Sequence, residues 1–353
     1  MGRNLGGAII DLLDSERVEL RTAATTVLAA VGKGDKTVEA ALAGRLGDPD
    51  GMVRRIALDA LADMGASGIA PRLVPLLRGQ DEALAERARE LLAEHAADAE
   101  AALRKEIGEG PVAARRVMAQ LLLHRGTRAA IDAVLDQLAD DELGEPALQL
   151  VRAELDRAEP VGKLVALIEK AATARVAEAG KALDKAWAAA QRTRDPGPKQ
   201  KPGKAGKKAA KTAAAPAASN GHDTAVDPLR DPAVIQAIAA LGNLLRLIGY
   251  LAKPQDQGLL LRYTAAERPR PIRLAAIAGL RRIVAHGEAG GIEPVIEALI
   301  ELANVDDPQV AQAAIDTLRG ARIPEALAKP FAALARSGNA AAQKLAMERL
   351  PAG

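Results

Sequence analysis

Acidic and arginine side chains recur in this chain at one repeated spacing. Asp48/Arg54, Asp81/Arg87, Glu109/Arg115 and Glu267/Arg273 each stand six residues apart, and Ser15/Arg21 imitates them. A guanidinium stays charged and grips carboxylates or phosphates with two parallel hydrogen bonds. Such pairs either lock parts of the fold together or leave Arg21, Arg54, Arg87, Arg115 and Arg273 facing a groove that holds an anionic partner. A second basic feature is the run Lys199, Lys201, Lys204, Lys207, Lys208 and Lys211, with no acid between its members. Removing those six charges from the net +2 leaves −4 on the remainder, so the basic character is concentrated there. Three roles are open for it: a self-repelling tether, a sequence-independent contact with phosphates or an acidic protein, or a contact with acidic parts of the same chain.

Other chemistry is poorly represented. There is no G-x-S-x-G, no Walker-type phosphate loop, and no G-x-G-x-x-G after a strand pattern. Ser is confined to positions 15, 67, 219 and 337. Cys is absent, which excludes disulfides, thiolate metal sites and Cys nucleophiles. His95, His124 and His286 each fall near the end of a helical stretch, where the macrodipole favours them. No HxxxH or HExxH spacing occurs, so no metal site is expected. The expectation is a non-enzyme with no catalytic residues and no cofactor.

The elements that must position these arginines are helices. Four aromatics, Trp187, Tyr250, Tyr263 and Phe331, stand among 353 residues, while the 49% apolar fraction is mostly Ala, Leu, Val and Ile. That argues against a large aromatic-filled core and against base-stacking platforms. Trp187 reads as a core plug or an exposed anchor. Tyr250 and Tyr263 flank the turn KPQDQG and read equally as a contact surface or as core. No strand-like alternation is evident.

A small residue followed at helical spacing by large apolar ones recurs along the chain. The anchors are Ala24, Ala57, Ala88, Met118, Ala147 and Ala179, spaced 29–33 residues, then Ala237, Ala276, Ala314 and Ala346, spaced 32–39. Between them lie second amphipathic stretches at Thr37–Leu46, Gly68–Leu77, Ala99–Ile107, Arg128–Leu138, Val161–Ala171 and Gly291–Ala303. The unit is a helical hairpin. Gly32, Gly65, Gly126 and Gly287 suit left-handed C-caps. Asp48-Pro49, Asp231-Pro232 and Asp307-Pro308 read as an N-cap with Pro in the first turn. One hairpin cannot bury its apolar face alone, but hairpins stacked in series share a continuous core.

The segments SERVELRTAATTVLAAVG (15–32), DPDGMVRRIALDALADMG (48–65) and RPIRLAAIAGLRRI (270–283) resemble the HEAT-repeat family, including its short bacterial HEAT-like branch. The resemblance covers nearly the whole chain apart from one linker. It implies an all-α solenoid, a superhelix of stacked antiparallel helix pairs. It also implies that the acid–arginine pairs form a hydrogen-bonded ladder between repeats, and that second helices line a concave surface.

Periodicity stops between Thr193 and Asp231, where Pro, Gly, Lys, Ala and Ser dominate and large apolar residues are scarce. The expected organisation is therefore an N-terminal array of about six repeats over 1–192, a disordered basic linker over 193–232, and a C-terminal array of about four repeats over 233–353. No signal peptide pattern occurs at the N-terminus. The apolar stretch 233–252 contains Gln236, Asn243 and Arg246 and reads as a buried helix, so a cytoplasmic protein without a membrane partner is expected. The expected function is a scaffold or adaptor binding another protein. The alternatives are nucleic-acid association through the linker lysines and, by fold analogy alone, a chaperone resembling the HEAT-like phycobilin lyases.

Overall fold

The computed structural model of the protein describes residues 5–65, 68–159, 162–192, 227–286 and 291–349. No strand occurs among them; the chain is an α-solenoid of helix pairs. The first three pairs are α1 (Leu5–Asp11) with α2 (Val18–Val31), α3 (Lys36–Arg45) with α4 (Gly51–Asp63), and α5 (Ala70–Leu73) with α6 (Glu82–Glu94). Next come α7 (Ala96–Glu106) with α8 (Val112–Arg125), α9 (Arg128–Asp136) with α10 (Gly144–Arg157), and α11 (Lys163–Arg192) with α12 (Pro232–Leu251). The last are α13 (Gln257–Arg262) with α14 (Arg270–His286), α15 (Glu293–Leu302) with α16 (Pro308–Gly320), and α17 (Ala328–Ala333) with α18 (Ala340–Arg349). The second helices form one row, with α2, α4, α6, α8, α10, α12, α14, α16 and α18 each packed on the next.

The small anchors explain the tight stacking. Ala57, Ala88, Met118, Ala147, Ala276, Ala314 and Ala346 have no exposed surface. An Ala at the crossing point lets a neighbouring helix approach, and Leu or Ile one turn on fills the space beside it. Leu58, Leu61, Leu92, Leu122, Leu148, Leu280 and Ile315 supply that filling and are fully buried.

The anchors Ala179 and Ala237 depart from this pattern, and both are only partly buried. They lie on α11 and α12, the two helices of one hairpin, and not on the second helices of separate repeats. The reason is length. The periodic stretch that begins before Lys163 runs without a break to Arg192, so no turn divides it. The buried stripe of α12 is carried instead by Val234, Leu241, Leu245 and Ile248.

The two arrays are in direct contact. α12 packs along α11 and against α10 and α14, so the row of second helices continues across the junction. The Asn243 side chain donates to the Leu138 carbonyl at 2.9 Å, and Arg268 pairs with Asp184 at 2.5 Å. Lys253 pairs with Glu169. Of the intervening linker, residues 193–226, including all six lysines, lie outside the described residues. α12 is long and apolar enough to cross a membrane, with a mean hydropathy of 1.6 over its best window. Its Leu241, Leu245, Leu247 and Ile248 are fully buried among neighbouring helices.

The capping pattern is partly as expected. Asp231 caps α12 through Ala233 N–H at 2.9 Å, and Asp307 caps α16 through Gln309 N–H at 3.1 Å. Asp48 does not cap α4. Asp50 does so, accepting from Met52 and Val53 N–H, which frees Asp48 for another partner. Gly65 and Gly126 adopt the left-handed conformation, with φ of +62° and +61°. Gly32 does not, having φ −92°. A Cβ there would lie 2.3 Å from Val38 Cγ1, so the glycine is required for space. Gly287 lies outside the described residues.

Candidate partner-binding face

The arginines singled out by their spacing are chiefly structural. Arg21 is 7% exposed and grips Asp48 of the next pair with Nε at 2.9 Å and Nη2 at 3.0 Å. The same guanidinium donates to the Ser15 and Glu16 carbonyls in its own turn. Arg54, one pair further on, reaches the Asp48 and Pro49 carbonyls in the equivalent way. The step to Asp81 is made by its neighbour Arg55 at 2.9 Å. Arg115, 5% exposed, pairs with Asp140 at 2.5 Å and donates to the Ile107 carbonyl. Arg273, 7% exposed, donates to the Thr264 carbonyl, while Arg270 takes the carboxylate of Asp307 at 2.6 Å.

A ladder thus joins successive pairs, but not through the six-residue spacing. Within a hairpin the arginine meets turn carbonyls. Its carboxylate lies in the next hairpin, as with Asp48 for Arg21 and Asp140, not Glu109, for Arg115. The ladder aspartates also accept backbone N–H bonds: Asp81 from Leu84, Asp140 from Leu143, and Asp307 from Gln309. Asp81 and Asp307 therefore set the start of their own helices and the register of the one before, while Asp140 fixes the turn that leads into α10. Burial pushes the Asp48 carboxyl up, but Arg21 and the Asp50 N–H hold it below the usual carboxylate range. Asp140 is lowered by the same balance, with Arg115 as the main opposing partner.

Arg87 is the exception. It lies half-exposed on α6 and pairs with Glu90 at 2.9 Å and Asp59 at 3.5 Å, so no ladder bond runs from it to the next hairpin. Among the five arginines, Arg21, Arg115 and Arg273 are buried and unavailable to a partner. The groove reading is corrected for those three, because they are buried and bonded inside the stack, Arg21 and Arg115 to turn carbonyls and to acids of the next hairpin, and Arg273 to a turn carbonyl.

A different arginine group stands on the row of second helices. Tyr250, near the end of α12, has two guanidinium groups against its ring: Arg282 of α14 at 3.9 Å from the ring centre and Arg152 of α10 at 5.1 Å. Such placement over a π face is attractive. The Tyr250 hydroxyl donates to Asp156. Arg246, on the exposed side of α12, approaches Glu145 at 3.4 Å. Neither Arg152 nor Arg282 has an ion pair among the described residues, and the Nε of each is buried without a hydrogen-bond partner. Burial lowers the Arg152 guanidinium from its ordinary value, Glu145 opposes this, and the charges of Arg246 and Arg282 lower it further.

Tyr263 behaves differently from Tyr250. It is 8% exposed and packs on α11, where a Cβ at Gly180 would lie 2.6 Å from its hydroxyl. Trp187 is half-buried against the core. Sequence patterning could not separate the two tyrosines, because their partners lie on α10, α11 and α14.

Two clefts lie nearby. One, of about 540 Å³, opens between the ends of α14 and α16 and is lined by Arg281, Val284, Asp316 and Arg319. The other, of about 550 Å³, lies between α9, α11 and α12. Its Arg175 is matched by Asp132 at 2.7 Å and Asp136 at 2.8 Å. No group of His, Asp and Glu suited to a metal ion occurs among the described residues. His95 ends α6, while His124 and His286 lie in the last turns of α8 and α14.

Comparison with family models bears out helical repeats in the first part of the chain. The family model for HEAT repeats matches residues 8–93. No curated protein matches the sequence. An engineered protein of known crystal structure is similar, at 16% identity over 97% of both chains with a TM-score of 0.26. Kap121p bound to Nup53p is 12% identical over 99% of this chain, with a TM-score of 0.43. Kap121p bound to Pho4p is likewise 12% identical, with a TM-score of 0.42. This chain spans 41% of the length of Kap121p in both complexes.

Proposed function

We propose that the chain, whose residues 8–93 are HEAT repeats, is a non-catalytic scaffold or adaptor that holds another protein against its row of second helices. The observation that carries this reading is the unbroken run of that row from α2 to α18, across the junction of the two arrays. HEAT-type solenoids commonly bind proteins along such extended faces. Among the described residues no group of His, Asp and Glu suited to a metal ion occurs, and the acid of the cleft between α14 and α16, Asp316, is paired with Arg319.

The test is affinity capture from the native lysate with the intact chain. A variant reversing Arg246 and Arg281 to Glu, both on the exposed side of the row, serves as the comparison. The reading expects a stoichiometric protein partner whose retention depends on the row. Retention of no protein, or retention unchanged by any row substitution, overturns it. Nucleic-acid association through Lys199 to Lys211 is the second reading. It would show as salt-sensitive binding to random duplex that disappears when those lysines are deleted.

A further inference from the structure

We propose that Arg152, Arg246 and Arg282, grouped around Tyr250 on α10, α12 and α14, form a docking site for an acidic peptide segment of the partner protein. This inference rests on the scaffold reading and names the chemistry of what is held.

The first support is an imbalance of charge. α12 carries one arginine and α14 four, and neither helix has an acid. Two of the five are used internally, Arg273 on the Thr264 carbonyl and Arg270 on Asp307. Arg281 and Arg282 remain, with Arg246, which donates to Asn243 Oδ1 at 3.2 Å, and Arg152 of α10, whose Nη2 donates to the Arg246 carbonyl at 3.4 Å. The acids beside this group are Glu145, near Arg246, and Asp156, on the Tyr250 hydroxyl. The three guanidinium groups of the site, Arg152, Arg246 and Arg282, therefore meet two carboxylates, and one of those carboxylates is engaged by a phenol.

The second support is the contrast with three other arginines removed from water. Arg21, Arg115 and Arg175 each have a carboxylate within 3.0 Å. Arg152 and Arg282 have none among the described residues, although each is partly removed from water against the Tyr250 ring and Arg152 feels the charge of Arg282. Like charges held together in a half-buried place disfavour one another, and an added anion relieves this. A fork of paired N–H donors fits a carboxylate better than an ammonium does. Both forks lie against one ring, Arg282 at 3.9 Å and Arg152 at 5.1 Å from its centre, so side chains from a single short segment reach both.

The row also discriminates against a long polyanion. Further along it, α6 presents Glu82, Glu86, Glu90 and Glu94, and its two arginines are already tied to Glu86 and Glu90. A duplex lying along the row would meet those carboxylates. A short acidic segment confined to α10, α12 and α14 avoids them.

The experiment uses the full chain and a fluorescein-labelled peptide of alternating Asp and Glu, with the matching Asn/Gln peptide and a random DNA duplex as comparisons. Fluorescence anisotropy is read at low and physiological salt. The acidic peptide should bind, its affinity should fall with salt, and the amide peptide should not bind. Arg152→Gln with Arg282→Gln should weaken binding by about tenfold or more. The exposed substitution Arg246→Gln should weaken it without altering thermal unfolding, which keeps the test valid if the double variant folds poorly. Absence of acidic-peptide binding, equal binding by all variants, or tighter binding of duplex than peptide each overturns the site. If a lysate partner still binds the row while the peptide does not, the scaffold reading survives and this inference alone fails.

Discussion

Gly249 of α12 and Gly279 of α14 meet backbone to backbone: a Cβ added to Gly249 would fall 2.1 Å from Gly279 Cα. No rotamer change relieves such an overlap, because the obstacle is main chain. Gly249→Ala must push α12 and α14 apart, and overpacking of this kind costs about 1–3 kcal/mol or more. Gly258, on α13, has nothing within 4 Å of its Cβ position. Gly258→Ala should be neutral or stabilising by up to about 1 kcal/mol, since Ala is the better helix former. Urea unfolding of the two variants checks the contrast; equal stability would mean the helices do not cross there.

The ladder should be strongest where it is buried. Side-chain exposure is 9% and 1% for Arg21 and Asp48, against 51% and 17% for Arg55 and Asp81. Removing one member of a buried pair strands the other, whereas exposed pairs contribute little. Asp48→Ala should therefore lower Tm roughly twice as far as Asp81→Ala, or more. Differential scanning calorimetry reads the order. Asp48 is held below the ordinary carboxylate range, so its contribution is present above that range and is lost as pH falls through its lowered value. The difference in stability between the wild type and Asp48→Asn should shrink on acidification.

Asp256 should act with the opposite sign. It is 6% exposed, and its Oδ2 has no hydrogen-bond partner among the described residues. Burial, aided by Glu169 and opposed by Lys253, pushes its pKa up to about 6. A raised pKa means that the fold favours the protonated acid, so the contribution is full below the ordinary carboxylate value and is lost as pH rises through about 6. Asp256→Asn should be more stable than the wild type at pH 7.5 and should lose that advantage near pH 4. Chemical denaturation at both pH values decides; a constant difference contradicts the assignment.

The junction between the arrays should depend on Asn243, which is 7% exposed and donates to Leu138 O across 105 residues of sequence. Asn243→Ala strands that carbonyl at a cost of about 1–3 kcal/mol. Hydrogen exchange should quicken in α9 to α12 and remain unchanged in α2 and α4. Uniform protection throughout would place the coupling elsewhere.

Much of the stack was legible in the sequence because its determinants are local. Ala57 with Leu58 and Leu61 announces a buried helical face within one turn, and Asp307-Pro308 announces a helix start within two residues. The ladder was legible as residue types and not as partners. Arg21 meets Asp48 only after the chain has completed a hairpin, so a six-residue spacing could detect the turn carbonyls alone. Asp48 was misread as a cap because Asp50 competes for that place. The cluster around Tyr250 was missed because its members come from α10, α12 and α14, with the linker between them. Its one local signal was the acid-free composition of α12 and α14.

The central claim is that both arrays form one stack whose second helices make a single face. The most direct measurement places a protease site between residues 199 and 211, cleaves the folded protein completely, and weighs the product in solution. The account predicts two fragments that remain together at the mass of the intact chain and unfold in one transition. Fragments that separate on dilution, or that melt independently at the temperatures of the isolated halves, would contradict it.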